Sequence, residues 1–389
     1  MKKPFGLLML SVLALSACGT PVEEPSSSPS EDTTKESSLT TESSESVESS
    51  PEETSEEESS TTEETSSEES VNLKEKYKLR RDDSLLSDSS FKNGFGLFSP
   101  ETTTAHVEDR LIDYNGEAET DFYNPEADHS YYWTMCQWWT PYNFVNAEYS
   151  KSGDTHIYEN ESRRLEVNTN EGSLHMELDA DKEYQEKFGG PRDPKASWSH
   201  FLIQQNFPAE LAKSPSTFED LYVEMDVTIE ESTYLGEGQP TGSECAQLLF
   251  YFCLFNRVPE DSDPNEVGKN GTGMWFGVPI YDSRYDYVDR YIGGDTGFVG
   301  STNRMIYSIS NQSYMGRGPV EMNRTYKIRI DVLDLLKEAF IYGVKNDYLP
   351  NCLWNNLYLT YMNFGWELPG QYKVSSTLSN LDIHATILE

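Results

Sequence analysis

The stretch LYVEMDVTIE, Leu221–Glu230, decides the fold class because its side chains alternate strictly between apolar and polar. Successive side chains of a β-strand point to opposite faces of the sheet. Every second residue from Leu221 to Ile229 is apolar, and the residues between them are polar. The pattern therefore predicts a half-buried strand with one face in a core and the other in solvent.

The following run AQLLFYFCLF, Ala246–Phe255, is apolar on both faces, which is typical of a strand in the middle of a sandwich. Alternation returns in Thr325–Val332 and Asn356–Phe364, and turn residues separate these short runs. In DVLDLLKEAFIYG, which starts at Asp331, the apolar residues have helical spacing and predict one inserted helix near 331–342. Many short strands with little helix predict an all-β fold of two packed antiparallel sheets. The size of the body favours a jelly roll over an immunoglobulin-type sandwich.

The N-terminus has the layout of a secretory signal peptide. Lys2 and Lys3 precede the apolar run FGLLMLSVLAL, which is too short to span a bilayer, and a Leu-Ser-Ala triplet at 15–17 stands directly before Cys18. This resembles a bacterial lipoprotein signal with its lipobox. The resemblance implies cleavage after residues 1–17, lipidation of Cys18, and anchoring at the extracytoplasmic face of the cell membrane. An ordinary signal peptide and a short membrane anchor are the alternatives.

Residues 18–72 form a Ser/Glu-rich tract in which apolar residues are rare. Between residues 20 and 70 there are 17 acidic residues and a single lysine, Lys35. Such a segment cannot bury enough apolar surface to offset its ordering entropy, so we predict a disordered acidic tether. Residues 73–389 are predicted to form one β-sandwich domain, although the pattern assigns no strands between residues 73 and 150.

The body stays acidic without the tether. Taking +2 for the signal and −16 for the tract from the total of −37 leaves −23 for the remaining residues. A strongly negative domain disfavours nucleic acid and anionic lipid surfaces as partners. It is compatible with neutral sugars, with cations and with basic partners.

The body contains four cysteines without a zinc-binding pattern, since no C-x-x-C pair is present. Two of them, Cys245 and Cys253, fall on one face of a single predicted strand and are too far apart to bond to each other. We predict free, buried thiols, with one disulfide between distant strands as the alternative. The four are Cys136, Cys245, Cys253 and Cys352.

The segment MWFGVPIYDSRYDYVDRYIGGD, Met274–Asp295, is dense in aromatic and charged residues. Its first half is predicted to be a strand that ends at Tyr281, and a polar loop follows. Carboxylates and guanidinium groups bond sugar hydroxyls, and a flat ring covers the C–H side of a sugar. This chemistry predicts ligand binding by Trp275, Tyr281, Asp282 and Arg284. A structural Arg–Asp pair is one alternative. Calcium at the aspartates is another, although their spacing is not that of an EF-hand, and no cofactor is predicted.

A second candidate is NFGWELPG, Asn363–Gly370, where Trp366 and Glu367 lie between Gly and Pro residues. An exposed tryptophan beside a carboxylate in such a turn would form a binding platform. The alternative is that Trp366 fills the end of the core.

Three acids on the polar face of the first strand, Glu224, Asp226 and Glu230, are similar to the acidic strand of retaining β-glucanases of the concanavalin A-like fold. That family has the spacing E-x-D-x-x-E or E-x-D-x-E, whereas this chain has E-x-D-x-x-x-E. The flanking residues are not aromatic-rich, so a solvated strand face is favoured. Neither H-E-x-x-H nor G-x-S-x-G occurs, and no catalytic residue is predicted.

The lipobox, the tether, the aromatic β body and the two aromatic motifs together resemble Gram-positive surface lipoproteins with a concanavalin A-like or jelly-roll carbohydrate-binding or carbohydrate-active domain. The resemblance implies a glycan or cell-envelope polysaccharide as partner. The lack of a convincing catalytic pair favours binding without catalysis. A glycoside hydrolase or polysaccharide lyase of the same fold is one alternative, with Glu224 and Asp226 or Glu367 and Asp282 as its acids. An adhesion or protein-interaction lipoprotein is another. Whether the protein is an enzyme stays open at this point.

Overall fold

Two packed β-sheets form the body in the computed structural model, which describes residues 79–98, 107–112, 131–207, 214–297 and 301–388. For residues 79–83, 107–112 and Asn146 only the backbone is described. The predicted signal peptide, Cys18 and the tether lie outside these residues. The strands are β1 Leu79–Ser84, β2 Phe95–Phe98, β3 Val107–Ile112, β4 Trp133–Cys136, β5 Glu148–Ser152, β6 Thr155–Glu159, β7 Arg163–Asn168, β8 Ser173–Asp179, β9 Ser199–Asn206, β10 Phe218–Tyr234, β11 Gln247–Asn256, β12 Gly273–Asp282, β13 Tyr291–Gly294, β14 Met305–Ser308, β15 Thr325–Asp331, β16 Leu357–Leu368 and β17 Tyr372–Leu388.

The first sheet has eight strands in the order β15-β10-β17-β8-β7-β6-β5, with β1 also paired to β17. The second has nine strands in the order β13-β14-β12-β11-β16-β9-β4-β2-β3. Neighbouring strands are antiparallel except for β12 with β14 and β2 with β4, which are parallel. The predicted two-sheet antiparallel β-sandwich of the jelly-roll type is therefore confirmed.

Strand β10 carries the alternating stretch and extends beyond it at both ends. Its apolar side chains from Leu221 to Ile229 are buried in the core between the sheets, whereas the polar ones between them are only partly buried. Phe218, further toward the N-terminus, is also buried in this core. The period of two thus assigns the inner and outer faces of the eight-stranded sheet, as predicted.

Strand β11 is buried on both faces, and the two faces belong to different apolar clusters. Leu248, Phe250, Phe252 and Leu254 pack in the core between the sheets. The alternate residues pack on the opposite side of the nine-stranded sheet, which we call the outer face. The buried members of this outer cluster are Phe98, Cys136, Trp138, Leu202, Leu249, Tyr251, Cys253, Phe255, Trp275, Ile306 and Tyr361.

The α-helices of the described chain are α1 Ala180–Phe188, α2 Pro264–Val267, α3 Gln312–Met315 and α4 Leu333–Lys345, and short 3-10 helices span Phe144–Asn146, Pro215–Thr217 and Trp354–Asn356. Helix α4 confirms the predicted insertion near 331–342 and buries Leu336, Ala339 and Phe340. Helix α1 was not predicted, because it buries only Ala180, Glu183 and Tyr184, and a buried glutamate interrupts the apolar spacing. None of the helices in the described ranges is long and apolar enough to cross a membrane.

The segment 73–150, in which the sequence pattern assigned no strands, contributes strands to the nine-stranded sheet. Strand β4 pairs with β9, and β2 lies beside β4. Trp133 is buried in the main core, and its indole Nε1 donates to the carbonyl of Asp88 at 2.8 Å. As predicted, the four cysteines of the body are buried thiols that form no disulfide among the described residues: Cys136, Cys245, Cys253 and Cys352.

Candidate functional site

A row of four polar residues crosses the outer face of the nine-stranded sheet on four neighbouring strands. His200 on β9 is paired with Glu367 on β16, Glu367 with Gln247 on β11, and Gln247 with Asp282 on β12. Their exposed fractions are 1%, 1%, 7% and 2% in that order. Directly opposed residues have Cβ atoms about 4.5–5.5 Å apart, so these side chains are neighbours. We call these four residues the polar row.

Strand alternation explains why the row faces outward. Trp366 and Leu368 flank Glu367 along β16, and both are buried in the core between the sheets. Leu248, which follows Gln247, is buried in the same core. Since neighbouring residues of a strand point to opposite faces, Glu367 and Gln247 must point away from that core.

The hydrogen bonds of His200 define its tautomer. Its Nδ1 lies 2.8 Å from the carbonyl oxygen of Trp198, which can only accept, so we assign the proton to Nδ1. Nε2 then carries a lone pair, and this buried atom has no hydrogen-bond partner. Burial lowers the pKa of His200 to about 3, so the ring is neutral near neutral pH. The ring of Trp198 stacks on His200, and the ring of Trp138 meets it edge-on.

The two central residues of the row present acceptors. The indole Nε1 of Trp198 donates to Oε2 of Glu367 at 3.2 Å, and the same oxygen lies 3.8 Å from Nε2 of His200. The amide Nε2 of Gln247 donates to Oδ2 of Asp282 at 2.8 Å. A carboxylate accepts only, so this bond orients the amide of Gln247, and its buried Oε1 has no partner.

Asp282 ends the row in a pair with Arg284. Nε of Arg284 donates to Oδ1 at 2.9 Å and Nη2 to Oδ2 at 2.5 Å, which makes the pair bidentate. The backbone N–H of Arg284 also donates to Oδ1. Nη1 of Arg284 bonds the carbonyl of Gly242, and its guanidinium lies over the ring of Tyr285. Both oxygens of Asp282 are thus engaged, which is the structural Arg–Asp pair given as the alternative.

Other buried polar groups on the outer face also lack partners: Nε1 of Trp138 and Nδ2 of Asn363. Trp138 belongs to the outer cluster, and Asn363 is directly opposite Tyr251 of the same cluster. Both atoms are hydrogen-bond donors. Unsatisfied buried polar groups cost roughly 1–3 kcal/mol each, so a polar ligand that bonds these atoms would gain by doing so.

Trp275 is fixed by a chain of hydrogen bonds at the side of this face. Its indole Nε1 donates to Oγ1 of Thr302 at 3.4 Å, and Thr302 donates to Oδ2 of Asp295 at 2.5 Å. Burial raises the pKa of Asp295, and its Oδ1 has no partner. Trp275 also packs edge-on against Tyr251.

The structure brings together only some of the predicted ligand-binding residues. Trp275, Asp282 and Glu367 lie on the outer face, and Arg284 is attached to it through Asp282. Trp366 and Tyr281 face the other way. The indole of Trp366 donates to Ser376 of β17 at 2.8 Å, and its ring meets that of Tyr281 in the core region.

The reason for this difference is that Asn363–Leu368 continues strand β16 instead of forming the expected turn. Trp366 and Glu367 are neighbours in a strand and therefore point to opposite faces. Trp366 fills the core, which was the alternative for this motif. Gln247 and Asn363 were not predicted as site residues. The one sequence signal for them was their position next to core-facing residues of apolar strands.

The acidic strand is a solvent-facing surface, as favoured from its sequence. Glu224 accepts from Arg329 at 2.6 Å and lies 2.8 Å from Nε2 of His384, and Asp226 pairs with Lys327 at 3.1 Å. All lie on the eight-stranded sheet, away from the outer face of the nine-stranded sheet. Within the described ranges no group of three or more His, Cys, Asp or Glu side chains is arranged to hold a metal ion.

The polar row has two carboxylates, Glu367 and Asp282, and the residue directly opposite Glu367 on β11 is the amide Gln247. Retaining glycosidases use two carboxyls about 5–5.5 Å apart, and inverting enzymes use two at about 6.5–9.5 Å. Asp282 is two strands from Glu367, which is about 9.6 Å at the backbone from the usual strand spacing. It is also held by Arg284.

No protein-family model matches the chain, and no curated protein matches it. Solved structures with some similarity include a family 12 xyloglucanase from Bacillus licheniformis, with 11% identity and a TM-score of 0.37, covering 62% of this chain and 98% of that one. Another is a family 11 xylanase from Neocallimastix patriciarum, with 11% identity and a TM-score of 0.32, covering 63% and 97%. The endoglucanase Cel12A from Rhodothermus marinus has 9% identity and a TM-score of 0.31, covering 61% and 92%. The chemistry of the site has to be inferred from this chain's own side chains.

Proposed function

We propose that this protein is a cell-surface lipoprotein whose β-sandwich binds a glycan on the outer face of the nine-stranded sheet without hydrolysing it. The observation that carries the proposal is the pairing of Glu367 with the amide of Gln247 at the centre of that face. The lipid anchor at Cys18 and the extracytoplasmic location rest on the N-terminal sequence pattern.

Binding is supported by the combination of rings and partnerless polar atoms. Trp138, Trp275 and Tyr251 provide aromatic surface, which covers the C–H side of a sugar. Between the rings, Nδ2 of Asn363 and Nε1 of Trp138 can donate, and Oε1 of Gln247 can accept. A glycan offers hydroxyls that both donate and accept, so it satisfies both kinds of group at once.

The burial of these side chains restricts the access of a ligand to the site. Most of them are less than a tenth exposed, so a ligand reaches the polar row only after a local opening of the outer face. An occupied site would replace the missing hydrogen bonds, and we therefore expect ligand binding to stabilise the fold by mass action.

The absence of catalysis is supported by the state of the acids in the row. A retaining mechanism needs a second carboxyl at the position of Gln247, and the amide there can act neither as a nucleophile nor as a general acid or base near neutral pH. Asp282 is the next acid, and its bidentate pair with Arg284 leaves both oxygens occupied. Glu367 alone does not complete the pair that glycoside hydrolysis uses.

A glycoside hydrolase of the same fold is the second candidate. Its support is that Glu367 and Asp282 share one face and are two strands apart, close to the upper limit for an inverting pair. For such an enzyme Asp282 would have to leave Arg284 and activate a water. Reducing-sugar release from mixed polysaccharides, abolished by Glu367→Gln, would establish this second function.

Glycan-array binding followed by isothermal titration tests the leading proposal. We expect the full chain to bind a glycan, Trp138→Ala to lower its affinity at least tenfold, and no reducing sugar to be released. Trp354→Ala is the matched control, since this ring packs on Phe340 near helix α4, away from the outer face. A folded protein without affinity across a broad glycan panel would contradict the proposal, and salt-sensitive binding to a protein would favour the adhesion alternative.

The anchor is tested separately. We expect the chain with its native N-terminus to partition into the membrane fraction of a bacterial host and Cys18→Ala to lose lipid attachment. Equal membrane association of both forms after high-salt washing would contradict lipidation at Cys18.

A further inference from the structure

Three hydrogen-bond acceptors stand side by side on adjoining strands of the polar row. They are Nε2 of His200, the carboxylate of Glu367 and Oε1 of Gln247, in the order β9, β16 and β11. The first and the last are buried and have no partner. Because neighbouring strands are about 4.8 Å apart, both flanking acceptors lie within a few ångströms of the carboxylate.

The acceptor character of both flanking atoms follows from their other hydrogen bonds. His200 uses its Nδ1 proton on the carbonyl of Trp198, which leaves Nε2 with a lone pair. Gln247 uses its Nε2 on Asp282, which leaves Oε1 as the acceptor without a partner. Nε2 of His200 also lies 3.8 Å from Oε2 of Glu367.

A ligand that satisfies this arrangement has to bring several donors to one point. A primary ammonium group has three N–H donors and no acceptor. A hydroxyl has one donor and adds lone pairs of its own, and an acetamido group has one donor and one carbonyl acceptor. Among the common substituents at C2 of a sugar, the ammonium group is therefore the best match for three neighbouring acceptors.

The charge of Glu367 and the nearby aromatic rings also favour an ammonium group as the ligand. A cation is attracted to the Glu367 carboxylate and to the face of a tryptophan ring, and the ring of Trp138 meets His200 edge-on. The ring of Trp198 already stacks on His200 and lies beneath the guanidinium of Arg192. Arg163 is a positive group near His200, and its charge is balanced by the buried Glu183 at 2.7 Å. Lys187 is another, and its Nζ is held at the ring and the carbonyl of Trp139.

We propose that the glycan bound by this face carries free primary amines, as in a polymer of glucosamine that lacks N-acetyl groups, and that an ammonium group sits between His200, Glu367 and Gln247. This inference rests on the proposed glycan binding and names its ligand class. The acidic body, at −23 by the charge count above, would also raise the local concentration of such a polycation.

Isothermal titration of the full chain against three β-1,4-linked tetrasaccharides tests the proposal. The three differ only at C2: cellotetraose has hydroxyls, tetra-N-acetylchitotetraose has acetamido groups, and the glucosamine tetramer has ammonium groups at a pH at which its amines are protonated. We expect the glucosamine tetramer to bind at least tenfold more tightly than either of the others. This comparison uses the unaltered protein and does not depend on the folding of any variant.

Gln247→Leu then removes one acceptor while keeping a similar volume. We expect it to reduce the preference for the glucosamine tetramer at least fivefold, with the fold checked by circular dichroism. Gln185→Leu, on the exposed surface of helix α1, is the matched control and should leave the preference unchanged. An unchanged preference in Gln247→Leu would overturn the placement of the ammonium group.

The remaining outcomes separate this inference from the proposed function. Binding of other glycans with no advantage for the amine would overturn the inference and leave glycan binding intact. No affinity for any glycan would overturn both. Binding to a lysine-rich peptide without binding to the glucosamine tetramer would overturn the inference as well, because it would assign the ammonium to a protein partner.

Discussion

Gln247 and Glu367 face each other at directly paired positions of β11 and β16, on the outer face of the nine-stranded sheet. The amide of Gln247 is oriented by Asp282 on its other side, so it stands between two carboxylates. This position accounts for both proposals. It removes the second acid that hydrolysis requires, and it leaves a carbonyl oxygen without a partner beside the proposed ammonium site.

Gln247→Glu should destabilise the protein by about 2–4 kcal/mol at pH 7. The substitution places a third carboxylate in a buried row between Glu367 and Asp282, and like charges without a partner are strongly unfavourable there. Lowering the pH should reduce the loss, since protonation removes the added charge. Urea unfolding measures both effects. Gln185→Glu on the exposed face of α1 is the control, and equal stability of the two variants would contradict the buried position of the row.

His200 should make the stability of the protein sensitive to acid. Its pKa is about 3 in the fold and about 6.5 in an unfolded chain, so between these values only the unfolded state takes up the proton. Stability contributed by the neutral ring is therefore complete above about pH 6.5 and decreases by about 1.4 kcal/mol per unit as the pH falls toward 3. The difference in unfolding free energy between the wild type and His200→Gln should follow this slope.

Urea unfolding at several pH values between 4.5 and 7.5 measures the difference. His175→Gln is the control, because His175 is partly exposed on the eight-stranded sheet, with Nδ1 at 3.1 Å from Oγ1 of Thr377. A constant difference between wild type and His200→Gln across this range would refute the buried, neutral imidazole.

Glu183→Gln should cost about 3–5 kcal/mol because it leaves the buried Arg163 without its counter-charge. Glu183 accepts from Nε of Arg163 at 2.7 Å and from Ser199 Oγ at 2.5 Å, and Arg163 also donates to the carbonyl of His200. Loss of the pair should therefore also weaken glycan binding, because β9 carries part of the polar row. Chemical unfolding and isothermal titration measure the two effects.

Glu166→Gln is the matched control for the buried pair. Glu166 accepts from Nε of Arg164 at 2.6 Å, but both side chains are about one-third exposed. Surface ion pairs contribute about 0–1 kcal/mol, so this variant should keep nearly full stability. If Glu183→Gln and Glu166→Gln lost similar amounts of stability, the difference in burial would not explain the stability contributions of the two ion pairs.

Gly365→Ala should destabilise the fold by about 3 kcal/mol or more. Gly365 has a φ of +149°, and an added Cβ would lie 2.2 Å from the carbonyl oxygen of Phe201 on the neighbouring strand. Gly242→Ala is the control, since an added Cβ there meets nothing within 4 Å. Thermal unfolding compares the two, and similar midpoints would contradict the close approach of β9 and β16 at this point.

Trp366→Phe should lower stability by about 1–3 kcal/mol and leave glycan affinity within twofold of the wild type. The substitution removes the indole donor to Ser376 inside the core, where the loss of a buried hydrogen bond is costly. Trp138→Phe should instead reduce affinity, because its Nε1 faces the candidate site. A large loss of affinity in Trp366→Phe at normal stability would place that residue in the binding surface.

The sequence was sufficient for the parts of the fold that depend on local patterns. Alternation in Leu221–Glu230 and continuous burial in Ala246–Phe255 predicted the two kinds of strand, and helical spacing predicted α4. These patterns repeat along one segment, so they are visible without knowledge of its neighbours. Helix α1 was missed because two partners of its buried Glu183, Arg163 and Ser199, lie on strands β7 and β9.

The site was only partly predictable for a related reason. Glu367 and Asp282 are conspicuous in their motifs, but the residues between and beside them come from β11 and β9. Their alignment depends on the registers between strands that are far apart in sequence. Trp366 shows the same difficulty. It is the neighbour of Glu367 in the strand, and a shift of one residue along a strand moves a side chain from the outer face to the core.

Strand β17 occupies the interior of the eight-stranded sheet, between β10 and β8, and spans Tyr372–Leu388. Strands β10 and β8 each lack a hydrogen-bonded neighbour on one side until β17 has been synthesised. The sheet therefore cannot form strand by strand in the order of synthesis. The loop closures involved are long, and we expect slow folding with exposed strand edges at an intermediate stage. Such a chain would remain unfolded during most of its synthesis, which is the state that a translocation channel for unfolded polypeptides accepts.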